Sequence, residues 1–263
     1  MTMRLVIVTG GRSELAMAVA ARAAAAGHRV ILVTRGERPP EWRAMEPDIR
    51  SEGGVDLAKP DGIATLRQLV DEVSTATTID LMNCLGEFGG FAALGDLSID
   101  ALRSAVEGNL IAAHGAVLAC LPRMLQVARG TLLLVGSHAA LGQFPMMGGF
   151  LTAKTALESY ARTFASEYSP LGLRALCVAP ATIDTLRERE LRQNADRTGW
   201  LSPIEVADCL LELCSSGLTL LNGSTVQLFR GSHTYHSTAF LDRIGSSRES
   251  YPGFRRTSVE IER

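Results

Sequence analysis

Neither sign of charge is in surplus along this chain of 263 residues: 26 Lys and Arg stand against 28 Asp and Glu, a formal charge of −2. That balance leaves no electrostatic footprint for nucleic acid or for an anionic membrane surface. Cysteine is scarce as well. Cys84, Cys120, Cys177, Cys209 and Cys214 are odd in number, scattered and without a CxxC pair, which argues against a zinc site or a disulfide framework. They read as small buried apolar residues. Long apolar runs are missing: Arg22 interrupts the alanine-rich stretch 15–26 and His114 the run near 110–121, short of the roughly 18 residues of a membrane span. The apolar stretch 5–9 stops at Gly10-Gly11, too short for the core of a signal peptide. The chain has no Pro/Ser/Gly linker and no internal repeat. A cytoplasmic protein is expected, with no metal and no nucleic-acid or membrane partner.

What is present is an alternation of strand and helix. Apolar runs at 4–9, 28–34, 53–57, 79–84, 131–136, 173–179 and 225–229 predict strands. Between them, helical patterns fall at 14–26, around Leu66, Leu69, Val70 and Val73, at 98–129, 148–169 and 203–215. Leu102, Val106, Asn109 and Ala113 are expected on one face of the long helix. The strands are continuously apolar, so helices must cover both faces of the sheet. Right-handed β-α crossovers then give a single doubly wound α/β domain, expected to carry seven parallel strands. Two segments fall outside the pattern: 182–202, charged and loop-like, and the tail 233–263.

In order and spacing, several motifs resemble those of the short-chain dehydrogenase/reductase family, over residues 1–232. Thr9-Gly10 resembles the start of TGxxxGxG, Asp56-Leu57 the pair that holds the adenine ring, and Asn83 with Gly86 in NCLG the NNAG motif. Asn109 resembles the family's helix asparagine, Ser137 its catalytic serine and Lys154 the lysine of YxxxK. Pro180-Ala181 and Thr185 are similar to its PGxxxT segment, Asn222-Gly223 and Arg230-Gly231 to its final TG…DGG. The resemblance implies a Rossmann-type fold with 182–202 as the substrate loop. It also implies a dinucleotide held by Gly10, Arg12, Ser13, Arg35, Asp56, Leu57, Asn83, Gly86, Lys154, Pro180 and Thr185. Arg35 stands where an acidic residue would mark NAD, so a guanidinium for a 2′-phosphate, and hence NADP(H), is expected.

Two positions depart from the family pattern. The second glycine of the fingerprint is Glu14, in TGGRSELA, and the catalytic tyrosine is Phe150, in FLTAK. A carboxylate about 4 Å from a phosphate charge would repel it by roughly 1 kcal/mol in water and 4 kcal/mol near a protein surface. Glu14 therefore either turns to solvent and caps its helix, or stands in the anion site as a substitute for phosphate. Phe150 has no proton to exchange, and losing a positioned acid/base costs about 10²–10⁴ in rate. His138, next to Ser137, is a candidate substitute acid. His233, Tyr235 and His236 form either a polar turn or part of a cover over the cleft. Asn109 either takes part in catalysis or patches backbone groups at a helix distortion, and Ser137 has an equally ordinary role as a turn former. Met146, Met147 and Phe150 suit either an apolar substrate or the core.

Three functions follow from these residues. The first is an NADP(H)-dependent reductase of a small, hydrophobic organic molecule (an imine or iminium, or an activated C=C or C=O) that works without the tyrosine. The second is a non-redox cyclase, isomerase or lyase on the same scaffold, and the third a ligand-sensing protein without turnover. A homodimer or homotetramer is expected through the helices 98–129 and 148–169, which carry Ala112, Ala113, Ala116, Ala156, Leu157 and Ala161. The apolar tail 233–263 is expected to pack on the core or on a neighbouring subunit.

Overall fold

Strand alternation sorts the apolar runs onto two faces. In β1 (Leu5–Thr9) the side chains of Leu5 and Ile7 enter one core and those of Val6 and Val8 the other. The computed structural model describes residues 3–39, 42, 49–73, 76–141, 144–214 and 218–230, all within the unit Met1–Gly231. The expectations for 233–263, His233, Tyr235 and His236 included, fall outside them. After β1 come α1 (Glu14–Ala25), β2 (Arg29–Val33), β3 (Ile49–Glu52), α2 (Pro60–Asp71), β4 (Ile79–Asn83), α3 (Ile99–Val106) and α4 (Ala112–Val127). The rest is β5 (Gly130–Val135), the short α5 (His138–Leu141), α6 (Gly148–Tyr168), β6 (Leu173–Pro180), α7 (Leu186–Leu191), α8 (Pro203–Leu213) and β7 (Thr225–Leu228). The seven strands form one parallel sheet in the order β3-β2-β1-β4-β5-β6-β7. Helices α2, α4 and α6 bury their apolar sides in one core, α1 and α8 in the other. The chain reverses direction across the sheet between β1 and β4, and the crevice beyond the carboxyl ends of the strands opens there.

Local chemistry sets the helix starts. The Ser13 hydroxyl accepts from the Ala16 N–H ahead of α1, Ser98 from Ala101 ahead of α3 and Thr185 from Glu188 ahead of α7. Ser202 and Glu205 close a reciprocal capping box around Pro203.

The structure corrects several readings. The third strand is Ile49–Glu52, and 53–57 is the turn after it: Gly54 takes φ +71°, which suits a turn and not a strand. The helix expected over 98–129 is broken in register by a π-helical turn, Glu107–Ile111, so Leu102 is exposed while Asn109 and Ala113 are buried. By length and mean hydropathy alone the run Ile99–Val127 would cross a membrane, but Ala112, Ala113, Ala116, Val117, Ala119, Cys120 and Met124 sit in the core against the sheet. The small residues Ala113, Ala116, Leu157 and Ala161 are core as well, and do not form an outward stripe. Segment 182–202 contains a helix, α7. Cys209 is exposed, because it lies on the outward side of α8.

Candidate active site

Gly10 must be glycine twice over. It has φ +77°, and a Cβ there would lie 2.7 Å from the Cys84 carbonyl oxygen at the end of β4. The tight turn this permits delivers Arg12, Ser13 and Glu14 to one wall of a cleft of about 470 Å³. Thr34, Arg35 and Gly36 beyond β2, with Asp56 and Leu57, form a second wall. Gly86 and Glu87 beyond β4, Glu107 and Gly108 of the π turn, and Thr185 with Arg187 complete the lining. Eight of the residues implied for the dinucleotide thus meet in one crevice: Gly10, Arg12, Ser13, Arg35, Asp56, Leu57, Gly86 and Thr185. Asn83, Lys154 and Pro180 lie behind it, buried at the ends of β4, α6 and β6.

The cleft carries charges of both signs. Arg35 pairs with Glu87 (Nη1 to Oε2, 3.4 Å), and both ends of that pair reach solvent. Ser104 donates to the other Glu87 oxygen at 3.0 Å, and Gly108 leaves the room this carboxylate occupies. Asp56 accepts from the Ala58 N–H at 3.1 Å, fixing its turn. Glu14 reaches across the crevice: its Oε1 accepts from the Leu186 N–H, in the first turn of α7, at 2.6 Å. The chain's own carboxylate therefore joins the loop after β1 to the loop after β6. Glu87, Glu107 and Arg187 were missed in the sequence, because each falls between motif positions and only the fold brings it to the crevice.

Deeper in, Lys154 is 3% exposed, and its ammonium donates to the carbonyls of Leu85 and Val135, both at 2.8 Å. Burial pulls it down to about 8, while the Cys177 and Cys84 sulfurs oppose that shift. Nζ lies 5.7 Å from the centre of the Phe150 ring, within reach of a cation–π contact. Gly86, which lines the cleft, lets the ammonium come close to it: a Cβ there would stand 3.5 Å from Nζ. Phe150 packs edge-on against Phe88, which packs likewise on Phe91, at centroid distances of 5.5 and 4.8 Å. Met147 is buried beside them in sequence, and Met146 takes φ +64°.

Asn109 holds the π turn. Its amide donates to the Ala105 and Glu87 carbonyls at 2.8 and 2.9 Å and accepts from the Glu87 N–H at 3.4 Å. The Ala105 carbonyl lies in α3 and the two Glu87 groups in the loop after β4, so this amide ties the π turn to the cleft wall. Ser137 accepts from the Ala139 N–H at 3.3 Å, forming a turn. His138 is buried with its ring 5.7 Å from that of Phe229, and it is not among the residues that line the cleft. Asn83 accepts from the Thr9 hydroxyl at 2.6 Å, and its amide nitrogen is buried without a partner among the described residues.

The sequence profile of the short chain dehydrogenase family matches residues 4–196. Protein MoaE of Klebsiella aerogenes is 32% identical over 143 residues, a match spanning 47% of this chain and 55% of that protein. Dehydrogenase/reductase SDR family member 4 of Mus musculus is 24% identical over 85% of each chain. Among solved structures, 3-ketoacyl-(acyl-carrier-protein) reductase from Brucella melitensis, complexed with NADH, superposes with a TM-score of 0.76 at 16% identity, over 86% of this chain and 96% of that one.

Proposed function

The chain belongs to the short-chain dehydrogenase/reductase family, and from that premise we propose an NADP(H)-linked oxidoreductase acting on a small, apolar organic molecule without the help of a tyrosine acid. The cleft supports a nucleotide at its adenosine end. The Gly10 turn leaves backbone space, Asp56 and Leu57 face the crevice, and Arg35 stands beyond β2 where a 2′-phosphate would meet a guanidinium. Arg12, Ser13 and Thr185 flank the place of the diphosphate, at the N-terminus of a helix of 12 residues. When bound, the nicotinamide supplies or accepts a hydride.

The observation that carries this reading is Phe150 beside a Lys154 whose ammonium is spent on two backbone carbonyls. Neither group offers a tyrosine's proton, so the acceptor must be one that needs none at the moment of hydride addition. An iminium or an activated C=C fits, and the phenylalanines Phe88, Phe91 and Phe150 suit an apolar body. The test is titration with NADPH and NADH, followed by a screen of cyclic iminium and enone acceptors. Arg35→Ala is expected to weaken NADPH about ten- to a hundredfold, the worth of one or two charge-assisted bonds, with little change for NADH. Equal losses would make Arg35 structural. No binding of either nucleotide would overturn the reading.

One contact favours a second reading, a non-redox cyclase, isomerase or lyase: the Glu14 carboxylate on the Leu186 N–H, in the place of an anion. Turnover of a substrate in the absence of any nucleotide would establish it.

A further inference from the structure

The contact between Glu14 and Leu186 joins two segments 172 residues apart at 2.6 Å. Glu14 is the first residue of α1 and an exposed one, and free solvation was open to its carboxylate. It instead accepts a backbone N–H from the loop that borders the cleft opposite the glycine turn. That loop is otherwise held from within. Asp184 takes both branches of the Arg189 guanidinium at 2.7 and 2.8 Å, and Thr185 caps α7. Arg192 reaches back to the Thr182 hydroxyl at 3.1 Å. None of these ties reaches the first wall of the cleft; Glu14 is the bridge.

A diphosphate entering this cleft would sit between the same two walls, against the N-terminus of α1 and beneath Thr185. It would meet a carboxylate of the same sign that already holds the Leu186 N–H. We propose that Glu14 is a built-in anion that anchors α7 across the cleft and competes with the diphosphate, and so determines which nucleotides this chain accepts. The proposal rests on the cofactor reading above and deepens it. Ligands confined to the adenosine end are accepted freely, whereas a dinucleotide must displace Glu14 from Leu186 and carries that cost in its affinity. An absent side chain at position 14 removes the cost, and a neutral one that still accepts from the Leu186 N–H removes only the part that comes from charge.

The experiment compares the full-length wild type with Glu14→Gly and Glu14→Gln, using two probes. Adenosine 2′-monophosphate has the group that Arg35 would bind and no diphosphate; NADPH has both. Calorimetry should give adenosine 2′-monophosphate the same affinity for all three proteins within twofold. NADPH should bind Glu14→Gly at least tenfold more tightly than wild type, with Glu14→Gln between them. In hydrogen exchange without nucleotide, the amides of Leu186–Leu191 should be protected in the wild type and lose at least tenfold protection in Glu14→Gly, and NADPH should restore it. If both probes gain equally, Glu14 acts only through the overall charge of the cleft and the competition is overturned. Unchanged NADPH affinity and unchanged exchange at α7 overturn it too, while leaving the cofactor reading in place. Failure of NADPH to bind any of the three proteins overturns the cofactor reading and the competition together.

Discussion

Phe150 and Lys154 show how a buried ammonium is satisfied where the neighbouring ring offers no hydroxyl. A lysine that serves a tyrosine hydroxyl needs its ammonium aimed at that oxygen. Without the hydroxyl, the buried charge must find other acceptors, since an uncompensated buried ammonium is costly. The Leu85 and Val135 carbonyls at the ends of β4 and β5 supply them, and the ring of Phe150 covers the remaining side. Phe150→Tyr should therefore restore an oxygen that Lys154 can stabilise as an anion. In an NADPH-oxidation assay with simple ketones, the variant should show measurable reduction where the wild type shows none. An acid/base group is worth about 10²–10⁴ in rate, so even partial recovery of the geometry is detectable. Ketone reduction by the wild type that disappears in His138→Ala would instead place the acid on a residue that now lies buried against Phe229. At the same scale, Asn109 answers to backbone groups of α3 and of the loop after β4, so a fall in activity on its replacement needs a stability measurement beside it.

Elements were legible where a single physical signal fixed them. The apolar strands and the helix starts near 14, 98 and 203 were legible because burial and capping act over a few residues. The strand at Ile49–Glu52 did not: its sequence IRSE is polar, and pairing with β2 makes it a strand. The π turn was signalled only by Asn109, as one of two readings of that residue, since a slip of one residue leaves helical composition unchanged. In the site, glycine-turn residues follow from motif spacing, whereas the Arg35–Glu87 and Glu14–Leu186 contacts exist only once distant segments meet. A further long-range feature ties the opposite ends of the strands. Asp80 of β4 is fully buried, paired with Arg4 at 2.6 Å and accepting from the Thr131 N–H at 3.0 Å. Burial pushes its carboxyl up to about 6 against the pull of Arg4. A carboxyl raised in the folded state binds its proton more tightly there than in the unfolded chain. Its contribution to stability is therefore present below about 4 and lost as pH rises through about 6. Arg4→Met removes the carboxylate's ion-pair partner, leaving Arg174 and the Thr131 N–H, and should cost up to about 3–5 kcal/mol at pH 8. The deficit should shrink on going to pH 5, where Asp80 takes up its proton, and urea unfolding at the two pH values measures both. An equal deficit at both would mean that Arg4 contributes mainly through its bond to the Cys214 carbonyl.

Across the whole molecule, the face formed by α4 and the segment before it carries an apolar line with no partner among the described residues. Ile111, Leu118 and Leu125 recur every seven residues and are 45%, 41% and 36% exposed, so they fall on one side of the helix. On the same side, His114 bonds to the Tyr160 hydroxyl of α6 at 2.8 Å, which holds the two helices in one surface. Of the alanines expected to make this surface, Ala112, Ala113, Ala116 and Ala161 lie in the core, and Ala156 is half-buried. The large residues are therefore the ones available for association. With 36–45% of each residue still exposed, taking the line out of water is worth about 0.6–1.2 kcal/mol per residue, and twofold symmetry would present it to its own copy, burying both lines at once. The wild type is therefore expected to be a dimer or tetramer at micromolar concentration in light scattering. Leu118→Glu, which places a charge at the middle of the line, should shift the mass toward the monomer while leaving far-ultraviolet circular dichroism unchanged. A monomeric wild type would leave this face without a role in self-association. A variant that keeps the wild-type mass would place the contact on another surface.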